Sequence, residues 1–177
     1  FNSEIDTITI RTTLSFTSFE GALTNENYTV NDMMNDYSFY NPKSVLNSEF
    51  NIFKNRATIF WDSELSRIHV EDTTFAITEK VKFYTALYHC MIHPSLASDV
   101  NGAYRGRDQK VHKGTHKTYH VFSLWDTYRA LHPLLSMIQK QRTKDFILTM
   151  LDQFEQGGIL PVWELGSCET NCMIGFH

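Results

Sequence analysis

Two stretches of the chain concentrate side chains able to do chemistry. The first, His120 to Pro133 (HVFSLWDTYRALHP), carries Trp125, Asp126, Tyr128 and Arg129; the second, Leu160 to His177 (LPVWELGSCETNCMIGFH), carries Trp163, Glu164 and Glu169. Buried carboxylates need hydrogen-bond partners, and the hydroxyls of a polyol donate into both carboxylate oxygens. Aromatic rings stack on the apolar faces of the same ligands and also fill cores. Together the two stretches predict one polar, aromatic-walled site suited to a carbohydrate. Plainer readings stand beside this one. Asp126 and Arg129 share a helix face at i, i+3 and can pair there, or Asp126 serves the first turn of a helix while Trp125 packs in the core. Glu169 can equally be the first-turn acid of a helix beginning near Asn171.

Other candidate groups carry less. His89 and His93 stand at i, i+4, a spacing that a metal on a helix face could use. The glutamate of the metalloprotease motif is absent between them, and Tyr84, Leu87 and Tyr88 mark this as a core-facing helix, so no metal ligand is assigned. Cys168 and Cys172 lack a second pair and read as structural thiols. With Cys90 they make three cysteines without disulfide-framework spacing, which leaves the redox compartment open.

The elements that must position these residues belong to an ordinary globular chain. Its 177 residues suffice for one domain with a real core, and 42% hydrophobic with 20% charged residues fits that class. A net charge of −4, with the 16 Lys and Arg scattered, argues against a nucleic-acid partner. No apolar run is long enough to span a bilayer. The chain opens on Phe1 without a targeting pattern and closes on the apolar run Met173 to His177, which reads as an internal piece of a longer protein.

Ile5 to Phe16 alternates apolar and polar residues with the period of a half-buried strand. A lone strand is unstable in water, so its partners are expected upstream. Ser18 is placed to cap a short helix, and Asn25 to Asn47, poor in aliphatic residues and containing Asn41-Pro42, reads as an irregular linker. From Ser48 to Leu65 the residues Phe50, Phe53, Ala57, Phe60, Trp61 and Leu65 fall at helical spacing. Ile68 to Val70 is a short extended piece. A stronger helix follows, with Val81, Tyr84, Leu87, Tyr88 and Met91 as its apolar stripe and Pro94 as its stop. Leu96 to Lys117 is a long connection, the kind that carries function or mobility. Two further helices are expected, from Ser123 or Asp126 to Ile138 and from Gln141 or Thr143 to Phe154, the second ended by Gly157-Gly158. Successive helices of this kind form a helix-hairpin array.

Several motifs, taken in order, carry a resemblance. These are FYTALYH (Phe83 to His89), YRG (Tyr104 to Gly106) with KVH (Lys110 to His112), FSLWDTYR (Phe122 to Arg129) with HPLL (His132 to Leu135), the Gly157 to Leu165 run GGILPVWEL, and Glu169 to Gly175 (ETNCMIG). From about Phe53 onward the chain closely resembles glycoside hydrolase family 92, the calcium-dependent exo-α-mannosidases. Ile8 to Phe16 and Glu20 to Asn25 resemble the close of that family's amino-terminal β-sandwich and the start of its linker.

The resemblance implies a mainly α fold, namely the first helical hairpins of an (α/α)6 toroid preceded by a terminal strand of an N-terminal β-sandwich and a linker. Its implied boundaries are 1–24 for the end of the sandwich, 25–66 for the linker with its helix, and 67–177 for the incomplete catalytic domain. The implied activity is removal of terminal α-linked mannose with inversion, for which a general acid and base stand about 6.5–9.5 Å apart around a water. Ca2+ would hold the mannose 2- and 3-hydroxyls, a role suited to a hard cation. By the same resemblance no catalytic residue and no metal ligand is assigned to this segment. The acid, the base and most calcium contacts fall in motifs beyond His177, so the segment alone is expected to be inactive. Asp126 matches the aspartate that binds mannose in the subsite of the cleaved sugar. Trp125 and Arg129 position it, and Trp163, Glu164 and Glu169 match the next motif lining that pocket. The family usually carries Gly then Asn where this chain has Ser167 and Cys168. The expected partners are mannose-containing glycans, and family members from bacteria are commonly periplasmic or secreted. Two other readings remain on the residues alone: another (α/α)6 glycosidase of the trehalase or glucoamylase kind, and a non-catalytic helical module that binds glycans.

Overall fold

The structure, a computed structural model, describes residues 10–36, 48–71 and 76–172. The fold is mainly α. In chain order the helices are α1 (Phe19–Asp36), α2 (Ser48–Leu65), α3 (Ile77–Cys90), α4 (Leu124–Thr127), α5 (Leu131–Ile138) and α6 (Lys140–Gly157). Among the described residues no helix is long and apolar enough to cross a membrane. Short strands fill the interval between α3 and α4 and follow α6: β1 (Ser95–Leu96), β2 (Ala103–Arg105), β3 (Val111–Lys113), β4 (Tyr119–His120), β5 (Phe122–Ser123), β6 (Trp163–Leu165) and β7 (Cys168–Glu169). All pairings are antiparallel: β1 with β4, β2 with β3, and a three-stranded sheet ordered β5-β6-β7.

Ser18 begins α1 by accepting the Gly21 N–H at 2.9 Å, an N-cap bond as expected. The helix then runs on to Asp36, through residues expected to be linker. Its Thr24 and Thr29 hydroxyls fold back onto the carbonyls of Glu20 and Asn25, and the Asn25 side chain bonds Leu14 O, Asp99 Oδ1 and the Val100 N–H. Tertiary partners for these polar groups override their weak helix propensity. Asp99, almost fully buried, also accepts from the Ser15 hydroxyl at 2.9 Å and the Thr17 hydroxyl at 2.5 Å. A Cβ on Gly21 would sit 2.5 Å from Asp99 Oδ2, so only glycine lets α1 approach this carboxylate. Ile10 to Phe16, expected as strand, is irregular, with Ile10 and Leu14 both exposed; the Ile5 to Thr9 part lies outside the described residues.

The α2 limits agree with the sequence reading, and Trp61 of α2 meets Tyr88 of α3 edge-on at 4.5 Å. Leu87 and Met91 of the predicted α3 stripe are buried, while Val81 and Tyr88 stay exposed. The Leu96 to Lys117 connection carries one hairpin, β2–β3. Gly102, at φ 82°, turns the chain into β2, and Gly106 to Lys110 closes the β2–β3 hairpin.

The expected helix from Ser123 or Asp126 to Ile138 is divided at Tyr128 to Ala130. Pro133 explains the break: it has no N–H to give to Arg129 O, and its ring would strike that carbonyl in a continuous helix. Falling in the first turn of α5, it costs nothing there. Gly158, left-handed at φ 78°, stops α6 with its N–H on Phe154 O, as predicted. The core joins Tyr119, Phe122, Leu124, Leu135 and Phe146, with Leu131 and Met150 packed against it. It therefore fastens β4, β5 and α4 to the α5–α6 hairpin.

Candidate functional site

The β5–β6 pairing brings the two chemistry-bearing stretches together. Ser123 stands opposite Trp163 and Phe122 opposite Glu164, and the Leu124 N–H reaches Val162 O at 3.3 Å. Because α4 starts directly after β5, Trp125 and Asp126 project from the end of the strand that pairs with Trp163. Trp125 is 48% exposed and Asp126 is exposed, so neither is a core residue.

The Ser123 hydroxyl donates to Asp126 Oδ2. Asp126 does not pair with Arg129, although the two share the predicted spacing. Arg129 Nε instead donates to the Tyr128 hydroxyl at 2.6 Å, and the guanidinium lies 5.3 Å from the Tyr128 ring centroid. Ser123 thus sets the rotamer of a carboxylate that still faces solvent, which leaves acceptor capacity for an incoming hydroxyl.

The two glutamates are bound differently. Glu164 is 1% exposed and accepts three protein donors: His120 Nδ1–H at 2.5 Å and the Ser167 N–H at 2.6 Å on Oε1, and the Val121 N–H at 2.9 Å on Oε2. Since a carboxylate only accepts, the His120 proton is assigned to Nδ1. Glu169 accepts the Val162, Trp163 and Asn171 N–H groups at 2.8, 3.0 and 3.1 Å, with Arg107 Nη2 3.8 Å away. Both carboxylates therefore hold backbone. The Asp126–Arg129 pair is not present, and the helix expected near Asn171 lies outside the described residues. Cys168 and Cys172, read as structural thiols, are both exposed, and Cys168 Sγ accepts from Gln109 Nε2 at 3.6 Å.

Burial pushes the Glu169 carboxyl up, but its three backbone donors and Arg107 outweigh burial and hold it below the usual carboxylate range. A folded-state pKa below the unfolded one gives stability that is complete above the ordinary glutamate range and is lost as pH falls through the folded value. Wild-type protein should therefore lose its stability advantage over Glu169→Gln below about pH 4. Thermal unfolding of both across pH 3–7 checks this, and a constant difference would count against it.

Sequence reasoning missed the roles of Ser123 and His120. Ser123-x-x-Asp126 has the spacing of a capping box, which could have shown the first. His120 and Glu164 are 44 residues apart, and no local pattern links them. A cleft of about 780 Å³ lies elsewhere, lined by residues that include Glu64, His116, Arg142 and Asp145. None of the six expected residues lines it, and its carboxylates already accept from Arg67, Gln139 and Gln141. Among the described residues no three His, Cys, Asp or Glu side chains gather to hold a metal.

Comparison with known proteins follows the same lines. Residues 40–177 match the family described as Glycosyl hydrolase family 92 catalytic domain. Among solved structures, the family GH92 alpha-mannosidase BT3965 from Bacteroides thetaiotaomicron is 32% identical, with a TM-score of 0.74 over 92% of this chain and 20% of its own. The same enzyme in complex with mannoimidazole aligns with the same identity and TM-score, over 92% and 19%. The family GH92 inverting mannosidase BT2199 from Bacteroides thetaiotaomicron VPI-5482, at 24% identity and a TM-score of 0.70 over 92% and 20%, shares the fold. No match was found among curated proteins. The chain spans about a fifth of the length of these solved mannosidases. With its motifs, its β5–β6 junction and its family match in agreement, the chain belongs to glycosyl hydrolase family 92.

Proposed function

We propose that the intact protein hydrolyses terminal α-linked mannose from glycans with inversion of configuration, and that this chain supplies walls of the sugar subsite. The observation that carries the reading is the β5–β6 junction, which sets exposed Trp125 and Ser123-braced Asp126 beside the strand of Trp163. Asp126 accepts hydroxyls of the sugar, Trp125 and Trp163 cover its apolar face, and Arg129, held by Tyr128, lines the rim. Glu164 and Glu169 serve the same wall from behind, through the backbone they hold. The 32% identical relative is described as an alpha-mannosidase and has been solved with mannoimidazole, which supports a mannose ligand.

The finer features are part of the proposal. The helices open an (α/α)6 toroid, an amino-terminal β-sandwich precedes residue 25, and the boundaries fall near residues 24 and 66, although α1 crosses the first. Ca2+, the general acid and the general base belong to the protein beyond this chain, and the intact protein is secreted or periplasmic.

The test is turnover of an aryl α-mannoside by the intact protein, with the product followed by NMR. First release of β-mannose, and no turnover by the 177-residue chain alone, are expected. First release of α-mannose, turnover of α-glucosides in preference, or hydrolysis by the chain alone would overturn the reading.

A further inference from the structure

The most constrained group near the wall is one the sugar cannot reach. Glu164 is 1% exposed, and its three donors include the N–H groups of Val121 and Ser167. These two residues are both left-handed, each with φ 70°. That region is unfavourable for any residue with a Cβ, and most of all for a β-branched one such as Val121. One buried carboxylate therefore fastens two strained backbone turns. Val121 lies between β4 and β5, two residues before Ser123. Ser167 lies in the Gly166-Ser167 turn between β6 and β7, where Gly166 also has a positive φ, 55°. His120, 2% exposed, closes the set through Nδ1, and the Ser167 hydroxyl donates to Arg105 O at 2.6 Å.

Successive side chains on β6 alternate between its faces, so Trp163 and Glu164 divide the labour. Trp163 stands on the face of the wall and Glu164 points into the core. We propose that Glu164, with His120, is a positioning residue for the sugar wall: by fixing the left-handed turns at Val121 and Ser167, it sets the direction in which Ser123, Trp125 and Asp126 leave β5. This rests on the reading of Asp126 as a mannose contact. Glu164 touches no ligand and acts only through the backbone.

The test is made on the intact protein, with mannoimidazole as the calorimetric probe. Glutamine offers one acceptor oxygen to three donors, so E164Q leaves at least one N–H opposed by an amide donor. E164Q is expected to weaken mannoimidazole binding at least tenfold. In a D126A background the same change should cost well under about tenfold, because of the three residues it positions only Ser123 and Trp125 remain. Glycine adopts φ 70° freely, so V121G should restore most of the affinity lost in E164Q. A role in stability alone predicts the opposite: a loss that multiplies with D126A and is not rescued at Val121. Unchanged affinity in E164Q, where D126A loses it, overturns the proposal but leaves the wall intact. If D126A itself binds normally, the wall reading fails and the positioning role fails with it. Where E164Q does not fold, E164D, which keeps the charge on a shorter stem, serves instead. A loss of about threefold or more that V121G relieves supports the proposal, and none overturns it.

Discussion

Asp126→Ala in the intact protein is expected to lower kcat/KM for an aryl α-mannoside by about 10²–10³-fold, or about 2.7–4 kcal/mol, the scale of losing one positioned donor or acceptor at a reacting centre. The carboxylate is exposed and accepts from the Ser123 hydroxyl on Oδ2, so a charge-assisted bond to a sugar hydroxyl is open to it. The competing account, an acid in the first turn of a helix, predicts something much smaller. Such a residue contributes about 0.3–1 kcal/mol to stability, and α4 is only four residues long. It would leave kcat/KM at the wild-type level. Steady-state kinetics of the Ala and Asn variants separate the two. Asn keeps the shape and loses the charge, and should recover part of the loss.

Phe146→Ala is expected to cost about 3–5 kcal/mol of folding stability, read as a lower denaturation midpoint. Phe146 is 1% exposed and meets Tyr119 and Phe122 edge-on at 4.8 and 5.7 Å, with the His132 ring at 6.1 Å. Removing it opens a cavity where α6 carries β4 and β5, inside a total stability of about 5–15 kcal/mol. Leu151→Ala, on the exposed side of the same helix, should change little, within about 0.5 kcal/mol. Equal effects from the two would contradict a core centred on Phe146.

Local order was the legible part of this chain. The limits of α2, the glycine stop after α6 and the Ser18 cap all rest on neighbours within four residues, the range over which sequence patterns carry physical meaning. The joining of the Trp125 and Trp163 stretches was foreseen from their shared composition, and the β5–β6 register supplies it. Contacts across long separations were illegible. Nothing near Asn25 announces its bonds to Asp99, which is why the sequence predicts a shorter α1, and nothing near Glu164 announces His120. Composition set Glu164 and Glu169 beside Asp126 as acceptors for a ligand; it carries no sign of the backbone N–H groups that both of them hold. Alternation from Ile8 to Phe16 and the stripe through Val81 mark faces that ask for apolar cover. Ile10, Leu14 and Val81 are exposed in a chain spanning a fifth of its solved relatives.

The most direct test of the sugar wall is a crystal structure of the intact protein with mannoimidazole bound. The account predicts the Asp126 carboxylate within hydrogen-bonding distance of the ligand's hydroxyls, an indole of Trp125 or Trp163 against its ring, and Glu164 still closed on His120, Val121 and Ser167. A ligand seated elsewhere, with Asp126 bonded to Ser123 alone, would contradict it.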